Sequence, residues 1–135
     1  MTGTSSLRAR ELTPLLNVID GNRSARFYCD NLGFRIDNQF ETDGKLLWAQ
    51  LSCGPVRIMI NASSQRRARV ARDHAETYDD IVLYFMVDDA RALRQTLIEG
   101  GCDPGPVTRE AYGLDEFTLR DPDGYELAFG SRARL

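Results

Sequence analysis

The chain has 135 residues, 42% of them hydrophobic and 27% charged, with a formal net charge of −3. These values fit one globular domain and exclude intrinsic disorder, and the acidic balance speaks against a nucleic-acid partner, which needs a basic face. Cys29, Cys53 and Cys102 are odd in number and form no CxxC pair, which argues against a disulfide framework or a zinc site and for reduced thiols in the cytoplasm, the default location. The polar, basic start lacks the apolar stretch of a signal peptide, and no apolar run approaches a membrane span, so no membrane partner is expected.

Residues 1–10 read as a flexible tail. Leu12 to Ile19 is apolar enough for a buried strand, with Pro14 marking an edge or a bulge. Asp20 is placed to cap a helix that starts near Asn22 and buries Ala25, Phe27, Tyr28 and Leu32. Gly33 stops that helix. Three strands follow: Phe34 to Glu41, Lys45 to Cys53, and Pro55 to Asn61. Asp43-Gly44 joins the first pair as a hairpin turn, and Cys53-Gly54-Pro55 joins the second.

Residues 62–79 are polar and highly charged, and read as a surface linker. The linker contains His74, the only histidine, and four arginines between Gln65 and Arg72. Acidic residues follow at once, so the arginines read as an internally paired, solvated stretch.

Ile81 to Val87 is a continuous apolar run and hence a buried strand. Asp88-Asp89 caps a second helix, with Ala90, Leu93, Leu97 and Ile98 on one face, and Gly100-Gly101 ends it. A weak strand near Pro106 to Glu110 precedes one at Asp115 to Arg120. Asp121-Pro122-Asp123-Gly124 is a sharp turn, and Tyr125 to Gly130 is the last strand. The spacing from Asp20 to Gly33 equals that from Asp88 to Gly101. The order β-α-β-β-β therefore occurs twice. This predicts an α+β fold: a first module over 11–61, a linker over 62–79, a second module over 80–130 and a tail over 131–135. The two modules form a curved mixed-sheet cup with helices on its outer face.

Val18 to Phe34 (VIDGNRSARFYCDNLGF) and Leu119 to Phe129 (LRDPDGYELAF) resemble the opening and closing signatures of the vicinal oxygen chelate (VOC) superfamily. That group includes glyoxalases, dioxygenases and bleomycin resistance proteins. In its metalloenzymes, two His or Glu ligands per half hold a divalent metal. The resemblance places the equivalent positions at Thr13, Met59, Val82 and Ala128, none of which is a good ligand for such a metal. Neither a metal nor another cofactor is expected. The nearest acids, Asp80 and Glu126, are thin support for one.

Strand alternation then defines the lining of the cup. Trp48, Gln50, Arg57 and Met59 face it from the first half, with Ser52 beside them. Tyr84, Met86, Glu116, Thr118 and Glu126 face it from the second, with Val82 and Ala128. Thr13, Leu15 and Asn17 complete the wall. Leu47, Ala49, Leu51, Val56, Ile58 and Ile60 point to the core, as do Leu83, Phe85, Val87, Phe117, Leu119, Tyr125, Leu127 and Phe129. An apolar and aromatic lining with a few polar groups is the usual composition of an organic-ligand pocket. Trp48 and Tyr84 suit a flat ring or a cation; Glu116 and Glu126 suit a cationic group. Arg57 suits a carboxylate on the ligand or an internal salt bridge to Glu126.

Two readings follow. The first is a metal-free binder that sequesters an aromatic or cationic organic molecule such as an antibiotic. It resembles the bleomycin-resistance branch, which implies a homodimer with a cleft shared between subunits. The second is a lyase, isomerase or dioxygenase of the same superfamily, using a metal or an acid–base pair of Glu116 or Glu126 with Tyr84. The missing ligands favour binding over catalysis.

Overall fold

The computed structural model describes residues 7–63 and 78–133. His74, the arginine-rich run, most of the expected linker and the outer ends of both expected tails lie outside the described residues.

The first half contains β1 (Leu15–Asn17), α1 (Gly21–Arg26) continued by a π-helical turn (Phe27–Asn31), β2 (Arg35–Thr42), β3 (Lys45–Cys53) and β4 (Val56–Asn61). The second contains β5 (Tyr78–Met86), α2 (Ala90–Glu99), β6 (Thr108–Arg109), β7 (Leu114–Arg120) and β8 (Tyr125–Arg132). Each half makes one four-stranded mixed sheet. The strand orders are β1-β4-β3-β2 and β5-β8-β7-β6. In both, the first strand pairs in parallel with the last, and the other pairs are antiparallel. The repeat in the sequence is thus a repeat of topology, and each helix packs on its own sheet.

The elements start and stop where short-range chemistry directs. The Asp20 side chain accepts from Arg23 N–H at 3.1 Å, and that of Asp89 from Ala92 N–H at 3.0 Å. Both satisfy first-turn amides that have no partner within the helix. Gly21 admits α1 close to β3, because a Cβ there would lie 2.0 Å from the Leu46 carbonyl oxygen. Asp43 and Gly44 both have positive φ, 52° and 75°. That is the backbone of a two-residue hairpin turn of type I′.

The structure departs from the sequence reading in several places. β1 is three residues long rather than eight. Pro14 has no N–H to give to the ladder, although its carbonyl accepts from Met59 N–H at 2.8 Å. Ile19 N–H turns instead to Asp123, at 3.0 Å. The first helix is not continuous, since its second part widens into the π turn that carries Tyr28. β5 begins at Tyr78, inside the expected linker. β8 runs past Gly130, and Ser131 in this extension accepts from Ala90 N–H at 2.8 Å, so it caps α2. Val56 is 38% exposed because it lies at the strand end beside the Gly54 turn.

One core serves both halves. Ala49, Leu51, Ile58 and Ile60 from the first sheet join Phe117, Leu119, Leu127 and Phe129 from the second. A series of rings crosses the junction, from Tyr28 to Phe34 (5.7 Å), Phe85 (6.4 Å) and Phe129 (5.1 Å). The halves therefore meet through their helix-bearing sides.

The D-P-D-G turn fixes this junction. Asp123 is buried, and its carboxylate accepts from Ile19 N–H, Arg23 Nη2 (3.3 Å) and the Ser24 hydroxyl (3.1 Å). Asp121 is also buried and accepts from the Tyr28 hydroxyl at 2.7 Å and from two amides of its own turn, at 2.9 Å each. The Tyr125 hydroxyl donates to the Asn17 carbonyl at 2.7 Å. Burial pushes the Asp121 carboxyl up to about 6, against the pull of its hydrogen bonds.

A carboxyl raised in the folded state stabilises the fold below its unfolded value, and that contribution fades as pH rises through 6. Stability measured by urea unfolding is expected to fall by about 2 kcal/mol from this group between pH 4.5 and 7. The pH slope should disappear in Asp121→Asn, whatever the absolute stability of that variant. Tyr28→Phe should cost about 1–3 kcal/mol at pH 7, because a buried carboxylate loses a donor.

Candidate functional site

Away from the shared core, each sheet presents an open face. Register defines the rows on the first. Asn17, Asn61, Trp48 and Phe40 lie side by side across β1, β4, β3 and β2. Leu15, Met59, Gln50 and Asn38 form the next row, and Arg57, Ser52 and Arg35 the third. Phe40 is 60% and Leu15 45% exposed, while Trp48, Gln50 and Met59 are half-buried. The Asn61 amide donates to the Asn17 side-chain oxygen at 3.2 Å.

On the second sheet, Tyr84, Ala128 and Thr118 form one row, and Met86, Gly130, Glu116 and Thr108 the next. Tyr84 lies across Gly130, where an added Cβ would come within 2.1 Å of the phenol oxygen. Only glycine leaves room for the ring. The Tyr84 hydroxyl donates to Glu116 Oε2, and the Tyr112 hydroxyl donates to the same oxygen at 2.6 Å. Both phenols are thereby held protonated. Tyr84 is raised by burial and then by Glu116. The hydrogen bond to Glu116 is the main cause that pushes Tyr112 up to about 12. The result is an aromatic, anionic patch whose Glu116 Oε1 takes no hydrogen bond from any described residue.

The expected lining therefore falls into two sets. Trp48, Gln50, Arg57 and Met59 occupy the first open face; Tyr84, Met86, Glu116, Thr118 and Glu126 occupy the second. Among the described residues no hydrogen bond or ion pair joins the two sets, because the halves are fused on their other sides. Of the two partners open to Arg57, the salt bridge to Glu126 is not present. Arg57 pairs with Glu11, and Glu126 pairs with Arg120 at 2.9 Å. Glu11 precedes β1, which runs parallel to β4, and Arg120 faces Glu126 across the β7–β8 register, so both partners are nearer than the other half.

The four positions that would hold a metal do not fit one. Thr13 offers a hydroxyl and Met59 a thioether. Val82 and Ala128 offer hydrocarbon. None is a strong donor to a hard or borderline divalent ion. Among the described residues, no group of three or more His, Cys, Asp or Glu side chains is arranged to hold a metal ion.

Two lining residues were not visible in the sequence. A regular hairpin through Asp43-Gly44 puts Phe40 opposite Leu47, on the core side. A bulge between Phe40 and Glu41 instead puts it opposite Trp48. The same bulge buries Leu46 and leaves Leu47 half-exposed. Tyr112 sits in a turn, where strand alternation says nothing about direction.

With this geometry in place, the family is clear. The chain belongs to the Glyoxalase/Bleomycin resistance protein/Dioxygenase superfamily, whose description matches residues 12–129. Solved structures agree on the fold. TioX from Micromonospora sp. ML1 is 20% identical, with a TM-score of 0.69 over 93% of this chain and 98% of that one. TnmS3, an antibiotic binding protein from Streptomyces sp. CB03234, is 15% identical, with a TM-score of 0.67 over 94% and 100%. A lactoylglutathione lyase from Agrobacterium tumefaciens is also 15% identical, with a TM-score of 0.65 over 91% and 94%. No curated protein matches the chain. No helix among the described residues is long and apolar enough to cross a membrane.

The Glu116 cluster is testable by phenol titration. Glu116→Gln should lower the Tyr84 and Tyr112 ionisation points, so the variant gains phenolate absorbance between pH 10 and 12 that the parent lacks. Gly130→Ala should do the same for Tyr84 alone, because it pushes the ring off the sheet.

Proposed function

We propose that this chain is a metal-free binding protein that sequesters an aromatic or cationic organic molecule, such as an antibiotic, on its open sheet faces. The observation that carries the reading is the composition of those faces. Where a metalloenzyme of the superfamily needs four donors, this chain has Thr13, Met59, Val82 and Ala128. Around them stand Trp48, Phe40, Tyr84 and Met86. Glu116 supplies a carboxylate for a cationic group, with Gln50, Thr118 and Glu126 as polar neighbours and Arg57 at the end of the first face. The description of TnmS3 as an antibiotic binding protein is consistent with it.

The protein acts as a homodimer in this reading. Each sheet face is open in a single chain, with Met86 62%, Phe40 60% and Tyr84 45% exposed, and apolar surface of that kind is usually covered by a partner. A cleft between a first face and a second face of two copies would reunite the two sets of lining residues. The three free cysteines suit the reducing cytoplasm.

The similarity in fold to a lactoylglutathione lyase supports a second reading, catalysis on a small oxygenated substrate. It is the weaker one here. Glu126 is held by Arg120 and Glu116 by two phenols, so neither carboxylate is positioned as a free base.

Trp48 is the only tryptophan in the chain, so its emission reports binding directly. Titration with a bleomycin-type antibiotic should shift or quench that emission, and mass spectrometry should recover the compound unchanged. Trp48→Ala should weaken binding by about tenfold, read by calorimetry, as one stacked ring is worth ~1 kcal/mol or more. Turnover of a hemithioacetal or catechol, or a stoichiometric divalent metal in the purified protein, would replace this reading with the catalytic one. Light scattering at micromolar concentration should give twice the chain mass.

A further inference from the structure

A groove of about 620 Å³ opens along the line where the two halves meet. Its apolar lining includes Leu32, Phe34, Phe85, Leu93 and Phe129, which come from both halves. Phe34, Phe85 and Phe129 belong to the ring series that crosses the core. The β3–β4 turn, Cys53 to Val56, borders it on the first half, and the segment from Met86 to Asp89 borders it on the second. The volume is that of a small-molecule pocket, and such pockets favour junctions between folding units.

The charge of the lining is one-sided. Among the described residues Asp88 and Asp89 are its only ionic groups, and none of those lining it is Lys, Arg or His. Asp89 is committed to capping α2 through Ala92 N–H. Asp88 is exposed and makes no hydrogen bond or ion pair with any described residue. The groove thus joins an aromatic interior to a carboxylate on the β5–α2 connection. A flat apolar body would replace water on the half-buried Leu32, Phe85 and Leu93, and an attached ammonium would meet Asp88.

We propose that this groove is a second ligand site, sharing only Met86 with the open sheet faces, for a small aromatic amine that binds with its ring between the halves and its ammonium at Asp88. A ligand there touches both modules, so it holds them together. By mass action it raises the unfolding temperature of the whole chain.

Cys53 gives the site a reporter. It is exposed, and its thiol has only a weak contact to the Leu32 carbonyl, at 3.8 Å. Cys29 and Cys102 are half-buried, with thiols pushed up by burial, and react more slowly. The experiment measures the alkylation rate of Cys53 by iodoacetamide, resolved by peptide mass, with 2-naphthylmethylammonium or 2-naphthoate present. These probes share a ring and differ in the sign of their charge.

The ammonium compound should slow Cys53 alkylation by about tenfold at ten times its dissociation constant, as simple occupancy requires. The naphthoate should leave it unchanged at the same concentration. Asp88→Asn should weaken the protection several-fold while leaving the ligand-free rate as it is. Val56→Arg, a change at an exposed position, should abolish it by placing a fixed cation in the groove. Equal protection by both probes, no protection at millimolar ammonium compound, or protection lost in Trp48→Ala but kept in Asp88→Asn would each overturn the proposal. Because Trp48 emission reports the open face and Cys53 reports the groove, the two sites fail or hold separately.

Discussion

Two carboxylates buried against the first helix decide how this molecule is put together. Asp121 and Asp123 lie in a tight turn of the second half, and nearly all their donors beyond that turn come from the first. Burying a carboxylate is unfavourable unless its oxygens are satisfied. Here an amide, a guanidinium and two hydroxyls of residues 19–28 do so. Apolar packing alone would let the two sheets slide or choose other faces, because it has no direction. The hydrogen bonds give it one. They fix the turn over α1 and bring Phe34 against Phe85. They also commit the helix-bearing side of each sheet to the shared core.

The rest follows from that commitment. Once the helix sides are fused, no described residue of the same chain spans the opposite faces. Their aromatic side chains stand half-exposed on two separate sheets. The second face manages this internally. Tyr84 lies down across Gly130, and its hydroxyl joins that of Tyr112 on Glu116, so part of the exposed apolar area is organised around a single carboxylate. The first face has no such device, and Trp48, Phe40 and Met59 simply line it. The two faces thus differ: one carries a polar cluster on a carboxylate, the other a plain aromatic surface.

Much of the architecture was legible because it depends on neighbours in sequence. Asp20 and Asp89 as caps, Asp43-Gly44 as a turn and the alternation along β3 and β4 away from the bulge and the Gly54 turn, and along β7 and β8, are all local features, and they carry the fold. What was hidden depends on pairing. The bulge that moves Phe40 to the open face is a register event between two strands. Ser131 caps a helix some forty positions earlier, so its role exists only after β8 has docked. For Arg57 the sequence left open a ligand carboxylate or a salt bridge to Glu126 of the other half; the structure keeps the two faces apart, and Arg57 pairs with Glu11 on the adjoining segment. The site residues were thus readable as members of a face, while their partners were not.

The aromatic lining of the second sheet depends on the small residues of β8. Ala128 lies directly between Tyr84 and Thr118 in its row and is itself buried. Gly130, two residues on, is the floor beneath the Tyr84 ring. For that ring to cross to Glu116, β8 must carry glycine at 130, since even a Cβ there would come within 2.1 Å of the phenol oxygen. Ala128, in the row beside it, adds only a methyl group, which is no donor to a metal ion. The small residues of β8 therefore leave a tyrosine laid toward a carboxylate on this part of the sheet. Such a surface offers a ring for stacking and a charge for pairing, the two interactions on which the proposed binding of an organic molecule depends.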